Sequence, residues 1–128
     1  KIDLPATFQS VDSPMFTPDG TAIVFSGIGG GGAALSWLDR LLGVQRAYAD
    51  GSPADWYSVP LAGGAPRQMT QINDTSMYGW FAPDGGQIAY ISSSGVFLMN
   101  TDGSGVLQLL GINDLPGSVG AATLNWVK

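Results

Sequence analysis

The sequence predicts an all-β fold made of two four-stranded antiparallel units, with one helical insertion in the first unit. Residues 15–27, "MFTPDGTAIVFSG", closely match residues 80–92, "WFAPDGGQIAYIS". Residues 55–70 match residues 95–110 in the same order along the chain. In each match, short apolar stretches rich in β-branched and aromatic residues are bounded by Pro, Asp and Gly. This pattern is typical of strands that are joined by tight turns.

The second unit is uninterrupted and shows its four strands in order. Pro83-Asp84-Gly85 supplies the turn between the first two strands, because proline presets φ and glycine accepts a positive φ. Residues 100–105, "NTDGSG", form the hairpin loop between the last two. The predicted strands lie at about 76–81, 87–92, 95–100 and 106–110.

The first unit has the same order of signals but is interrupted. We predict it at about residues 11–70, with an insertion at 27–53 between its second and third strands. Without the insertion each unit has about 40 residues, which is the length of a four-stranded propeller blade. The second blade is predicted at about 76–110.

A third copy begins at about residues 121–128. Its sequence, "ATLNWVK", places Trp126 where Phe16 and Phe81 stand in the first two copies. The whole chain, residues 1–128, is therefore predicted to be a partial β-propeller of two blades and the first strand of a third.

The repeated motif resembles that of a known family. The motif resembles TolB-type, WD-like β-propeller repeats. It consists of Phe-x-Pro-Asp-Gly-x-x-Ile-x-Phe/Tyr, an aromatic strand, an Asp-Gly or Gly-Gly turn and a final strand. The resemblance covers residues 13–27 and 55–128. It implies a scaffold that binds other proteins or ligands and is often periplasmic, extracellular or located on the cell surface of bacteria. In some relatives such a propeller caps a peptidase domain.

A glycine run after the second predicted strand has the spacing of a dinucleotide-binding turn. Gly27, Gly29 and Gly32 follow the strand and precede a helix-like stretch. Such a site needs an acidic residue at the end of the next strand to bind the ribose, but Pro60 and Leu61 stand there. We therefore interpret the glycines as a flexible hinge of the insertion and expect no cofactor.

Residues 33–48, "AALSWLDRLLGVQRAY", have the pattern of an amphipathic helix. We favour the interpretation that this helix packs over one face of the propeller, since an apolar stripe is usually buried. The alternative is that it docks on a partner protein or at a membrane interface. The candidate partner-docking residues are Leu35, Trp37, Leu38, Leu41, Leu42 and Val44.

Composition excludes several classes of site. The net charge is −5, from five Lys and Arg against ten Asp and Glu, which argues against nucleic acid as a partner. Neither cysteine nor histidine is present, so a Ser-His-Asp triad and zinc sites with Cys or His ligands are excluded. No apolar run approaches the roughly 20 residues of a transmembrane segment. We expect no catalytic residues, no cofactor and no metal site.

The sequence thus predicts a non-catalytic propeller segment that binds proteins or ligands. The segment is either part of a larger propeller or completes one by self-association, for example as three copies in a six-bladed ring. The alternative is an accessory propeller segment of a hydrolase whose catalytic domain lies outside this chain. If the chain stays monomeric, residues 33–48 and the N-terminal "KIDLPATF" are the candidates to cover its open blade faces.

Overall fold

The computed structural model describes residues 2–29, 52–115 and 125–126, which form an all-β structure of two four-stranded antiparallel sheets. Sheet 1 contains β1 (Ser10–Phe16), β2 (Ala22–Ile28), β3 (Asp55–Pro60) and β4 (Arg67–Gln68). Sheet 2 contains β5 (Tyr78–Phe81), β6 (Gln87–Ser92), β7 (Gly95–Asn100) and β8 (Leu107–Gly111), followed by one 3-10 turn at Ile112–Asp114. Within each sheet, every strand pairs with the next strand in sequence. The predicted fold class is confirmed. The predicted helix at 33–48 lies outside the described residues.

The first turn of each sheet is built in the same way, as the repeat predicts. In sheet 1, Oδ1 of Asp19 accepts a hydrogen bond from the backbone N–H of Thr21 at 3.0 Å. In sheet 2, Oδ1 of Asp84 accepts one from the backbone N–H of Gly86 at 2.9 Å. The glycine after each aspartate has a positive φ, +67° at Gly20 and +74° at Gly85. Both sheets therefore bring their first two strands together with one local motif.

The two sheets pack face to face through a shared apolar core. Side chains alternate along a strand, so one face of sheet 1 meets one face of sheet 2. The buried core cluster joins both sheets and contains Val24, Ala54, Trp56, Met77, Ile88, Tyr90, Phe97 and Met99. A Cβ atom at Gly79 would lie 2.7 Å from Cη2 of Trp56, so a glycine is needed where this indole crosses the interface.

Two hydrogen bonds also cross between the sheets. The backbone N–H of Gly79 donates to Oγ of Ser13 at 3.0 Å. The Oγ of Ser26 donates to the backbone carbonyl of Met77 at 3.2 Å. The same Oγ lies 3.1 Å from the backbone carbonyl oxygen of Asp12, so this hydroxyl, in a residue only 3% exposed, has acceptors on both sides of the interface.

The start of the predicted insertion differs from the structure. The predicted insertion begins at about Gly27, but β2 continues through Ile28. Gly27 pairs with Val11 on one side and with Asp55 on the other. Glycine has a low intrinsic preference for strands, but pairing with strands on both sides keeps Gly27 in the sheet.

Candidate protein-binding face

The candidate site is the face of sheet 1 that points away from sheet 2. Phe25, Tyr57 and Val59 form a second buried cluster there, and the half-buried Ile23 packs against it. These side chains alternate along β2 and β3 with Val24 and Trp56, which belong to the core between the sheets. We call the set Phe16, Ile23, Phe25, Tyr57 and Val59 the outer face of sheet 1.

The outer face of sheet 1 corresponds, by the sequence repeat, to the face of sheet 2 that is buried against sheet 1. By the sequence repeat, Phe16, Ile23, Phe25, Tyr57 and Val59 correspond to Phe81, Ile88, Tyr90, Phe97 and Met99. In sheet 2 this face is covered by sheet 1. In sheet 1 the corresponding face has no preceding sheet among the described residues. It is therefore built like an interface between neighbouring sheets.

The N-terminal segment covers part of the outer face. Ile2, Leu4 and Phe8 pack against the buried cluster of this face. The ring of Phe8 meets Phe25 edge-on with centroids 5.4 Å apart, and it meets Tyr57 edge-on at 4.9 Å. Residues 2–8 thus lie where a preceding sheet would pack, which agrees with one of the two covering segments that the sequence suggested.

Two glycines of the glycine run let the N-terminal segment come close to β2. A Cβ atom at Gly27 would lie 2.8 Å from Cε1 of Phe8. Gly29 has a φ of +93°, and a Cβ atom there would lie 2.8 Å from the carbonyl oxygen of Thr7. The structure gives these two glycines a packing role, in place of the hinge that the sequence suggested; Gly32 lies outside the described residues.

The cover over the outer face is incomplete. A cavity of about 230 Å³ remains beside Phe25, and it is lined by Ile2, Leu4, Val11, Asp12, Pro14, Ile23, Phe25 and Val59. Phe16 is 67% exposed, whereas its counterpart Phe81 is half-buried and packs against the core between the sheets. Phe8 therefore covers the Gly27 end of this face, and the end with Ile23 and Phe16 is open.

Two buried carboxylates lie beside the core and are held by protein donors. Oδ1 of Asp55 accepts hydrogen bonds from Oγ1 of Thr70 at 3.0 Å and from the backbone N–H of Ile72 at 2.5 Å. Asp74 accepts hydrogen bonds from the hydroxyls of Ser92, at 2.5 Å, and Ser93, at 2.6 Å. These contacts tie the segment between the sheets to the strands on both sides.

The electrostatics of Asp74 fit a structural role. Burial pushes the pKa of Asp74 upward, but the hydrogen bonds from Ser92, Ser93 and Thr75 outweigh burial and hold the pKa below its ordinary value. A carboxylate with a lowered pKa is a weak proton acceptor near neutral pH. The pair of Ser92 and Asp74 therefore lacks an effective general base.

Two polar atoms in the core have no hydrogen-bond partner among the described residues, the indole Nε1 of Trp56 and the hydroxyl of Tyr90. Both residues are fully buried. Burial first, and then the negative charges of Asp74 and Asp55, raise the pKa of Tyr90 well above its ordinary value. The phenol of Tyr90 is thus neutral in the folded protein, and both rings serve chiefly as packing groups.

The six docking residues proposed from the sequence, Leu35, Trp37, Leu38, Leu41, Leu42 and Val44, lie outside the described residues. Within the described ranges there is no group of three or more Asp, Glu, His or Cys side chains that could hold a metal ion. The same ranges contain no helix long and apolar enough to span a bilayer.

Sequence reasoning alone missed the outer face of sheet 1. The signal was present, because the repeat places Phe25 and Tyr57 at the positions of Tyr90 and Phe97. Trp56, Tyr57, Tyr90 and Phe97 are buried, whereas Trp126 is 39% exposed. No family model matches the chain, and no curated protein matches it either.

Proposed function

We propose that this chain is a non-catalytic β-propeller segment that binds other proteins through the outer face of sheet 1, which the N-terminal segment covers only in part. The observation that carries this proposal is the equivalence of two faces. The face of Phe25, Tyr57 and Val59 repeats the face with which sheet 2 binds sheet 1. A surface with the residues of a sheet-to-sheet interface is suited to bind another sheet.

The exposure of apolar residues supports the same function. Phe16 is 67% exposed on one side of the molecule, and Leu107 is 57% exposed on the edge strand β8 of the other sheet. Large exposed apolar groups at both ends of a stack of sheets favour association with further sheets. The segment is therefore suited to a place between neighbouring blades. The resemblance to TolB-type repeats favours a periplasmic or cell-surface location.

A binding role without catalysis is consistent with the chemistry of the described residues. The hydroxyl of the fully buried Ser92 donates to Asp74, whose lowered pKa makes it a weak base. The chain contains no histidine or cysteine to act as base or nucleophile. We accordingly propose that any catalytic role of the full protein would come from outside this segment.

A tandem fusion tests the propeller function. Three copies joined in one chain would supply six blades, and we expect a compact particle that unfolds cooperatively. Small-angle scattering should give a radius of gyration of about 21 Å, the value for a compact domain of roughly 384 residues. The control is the single copy under the same conditions. A much larger radius, typical of separate units on a string, would contradict the proposal.

A further inference from the structure

We propose that residues 2–8 form a displaceable cap on the outer face of sheet 1, in which Phe8 stands in for an aromatic side chain of a neighbouring sheet. This inference rests on the proposed function, in which the outer face binds other proteins. It adds how access to the face is controlled, because the cap and a partner sheet need the same space. It also adds one feature of the partner, an aromatic ring placed edge-on to Phe25.

The contact between the two sheets sets the pattern that the cap repeats. Tyr90 stacks on Phe97 within sheet 2, with ring centroids 5.0 Å apart and planes at 8°. Trp56 of sheet 1 meets Tyr90 edge-on, with centroids 5.8 Å apart and planes at 66°. A neighbouring sheet thus covers a stacked aromatic pair by placing one ring edge-on to it.

Residues 2–8 make the same kind of contact on the outer face of sheet 1. Phe25 and Tyr57 stack there with centroids 5.9 Å apart, as their counterparts in sheet 2 do. Phe8 meets Phe25 edge-on at 5.4 Å with planes at 65°, nearly the angle of the Trp56 contact. The N-terminal segment of the chain therefore makes the contact that a neighbouring sheet makes between sheets 1 and 2.

The cap is held differently from a sheet. Trp56 is fully buried and lies in β3, which pairs with a strand on each side. Residues 2–8 form no strand, and the backbone N–H of Phe8 donates within the segment, to the carbonyl oxygen of Pro5 at 3.1 Å. The pairing of β1 with β2 begins after the cap, at Ser10. The cap can therefore leave the face while the strand pairing of sheet 1 stays intact.

The cap also packs loosely on the face. Ile2 and Leu4 are half-buried, and they line the cavity of about 230 Å³ together with Ile23 and Val59. Atoms that border a cavity lose part of their van der Waals contacts, so they contribute less to holding the cap in place. A partner sheet that fills this volume gains contacts that the cap lacks, which favours exchange of the cap for the partner.

Competition between cap and partner regulates the site. Only chains whose cap is open can bind a neighbouring sheet, and the apparent affinity is lowered by the fraction of chains that are open. Weakening the cap should therefore uncover the outer face and leave the core between the sheets unchanged.

Thiol reactivity in the full chain tests the cap, because the chain has no cysteine of its own. Val59→Cys places a thiol under the cap, at a position 2% exposed, and Val24→Cys places one in the core between the sheets, at a position 1% exposed. Cysteine behaves as a small apolar side chain, so both variants are expected to fold. With iodoacetamide under native conditions, the Val59→Cys thiol should react at least about 10-fold faster, because local opening is more frequent than global unfolding.

Phe8→Ala, added to each cysteine variant, should open the cap selectively. We expect the Val59→Cys thiol to react at least about 10-fold faster still, and the Val24→Cys thiol to stay within about two-fold. Phe16→Ala is the matched control, because Phe16 is an aromatic residue of the same face that is 67% exposed. It should change neither rate by more than about two-fold.

Leu4→Ala is the second cap variant, in case Phe8→Ala does not fold. It removes a half-buried side chain of the cap and should also accelerate the Val59→Cys thiol selectively. Equal acceleration of both thiols by both cap variants would show that residues 2–8 open only together with the core, and the inference would be wrong. No acceleration of the Val59→Cys thiol by either variant would overturn it as well.

Protection by an added aromatic compound tests the stand-in role of Phe8. N-acetyltryptophanamide should slow the thiol reaction of the Phe8→Ala, Val59→Cys protein, because its indole can take the place of the Phe8 ring beside Phe25. N-acetylleucinamide is the matched probe and should protect at least about two-fold less, the difference expected from aromatic pairing. Equal protection by the two compounds would contradict selection of an aromatic ring by this face.

The results separate this inference from the proposed function. A compact tandem fusion together with equal acceleration of the two thiols would leave the proposed function standing and overturn the cap alone. An extended fusion together with selective acceleration would show that the segment opens locally, and it would contradict the proposed binding of a neighbouring blade.

Discussion

The rings of Trp56 and Tyr90 meet edge-on across the two sheets, with centroids 5.8 Å apart and planes at 66°. Both side chains are fully buried, and Tyr90 also stacks on Phe97 at 5.0 Å within its own sheet. Edge-to-face contacts of this kind add to the free energy gained by burial. The pair is thus the principal aromatic contact between the two sheets.

We expect Trp56→Ala to destabilise the protein by about 3–5 kcal/mol, the usual cost of removing a large buried aromatic side chain. The free energy of unfolding from urea titrations measures this effect. Phe16→Ala is the control, because Phe16 is 67% exposed and its loss should change stability by no more than about 0.5 kcal/mol. Equal effects of the two substitutions would show that the sheets do not pack through Trp56.

Gly79→Ala should destabilise the protein by about 1–3 kcal/mol through overpacking. The added methyl would lie 2.7 Å from Cη2 of Trp56, which the surrounding core prevents from moving away. Gly86→Ala is the matched control, since its nearest neighbour, Oδ1 of Asp84, lies at an ordinary 3.5 Å. Thermal unfolding of both variants makes the comparison. A neutral Gly79→Ala would contradict the close contact between the sheets.

Tyr90→Phe should leave stability at pH 7 unchanged or raise it, because the buried hydroxyl has no partner among the described residues. Burial and the charges of Asp74 and Asp55 raise the pKa of Tyr90 in the folded state. The folded state is therefore favoured as long as Tyr90 is protonated in both states, which holds below the unfolded pKa of about 10. This advantage is lost as the pH rises from there toward the folded pKa.

Urea titrations between about pH 8 and pH 11, a range around the ordinary tyrosine pKa of about 10, measure this alkaline loss of stability. The wild type should lose more stability than Tyr90→Phe over this interval. Tyr78→Phe is the control, because Tyr78 is 40% exposed, and it should follow the wild type. Identical alkaline profiles for the wild type and Tyr90→Phe would show that Tyr90 ionises freely in the folded state.

Replacing residues 30–51 by a short turn should leave a protein that unfolds cooperatively. The pairing of β2 with β3 runs from Ala22 opposite Pro60 to Gly27 opposite Asp55, so the two strand ends that the turn must join lie side by side. Differential scanning calorimetry should show one transition. Loss of that transition would mean that the replaced residues belong to the core.

Local patterns account for what the sequence could predict. The turns at Asp19 and Asp84 lie where the two Pro-Asp-Gly segments placed them. The predicted strands of the second unit agree with the observed ones within about two residues at each end, the usual scatter of strand and helix boundaries. These features depend on φ preferences, side-chain hydrogen bonds to the near backbone and period-two apolar patterns, all of which act over a few residues.

The sequence by itself therefore determined the all-β class, the repeat and the strand order. Only the tertiary structure decided that Phe8 packs on Phe25 and Tyr57, that Gly27 and Gly29 serve close packing, and that a cavity remains beside Pro14. The physical reason is that hydrophobic burial is non-directional. An apolar side chain such as Phe8 favours any apolar surface that it can reach, and which surface it reaches depends on how distant strands are arranged in space.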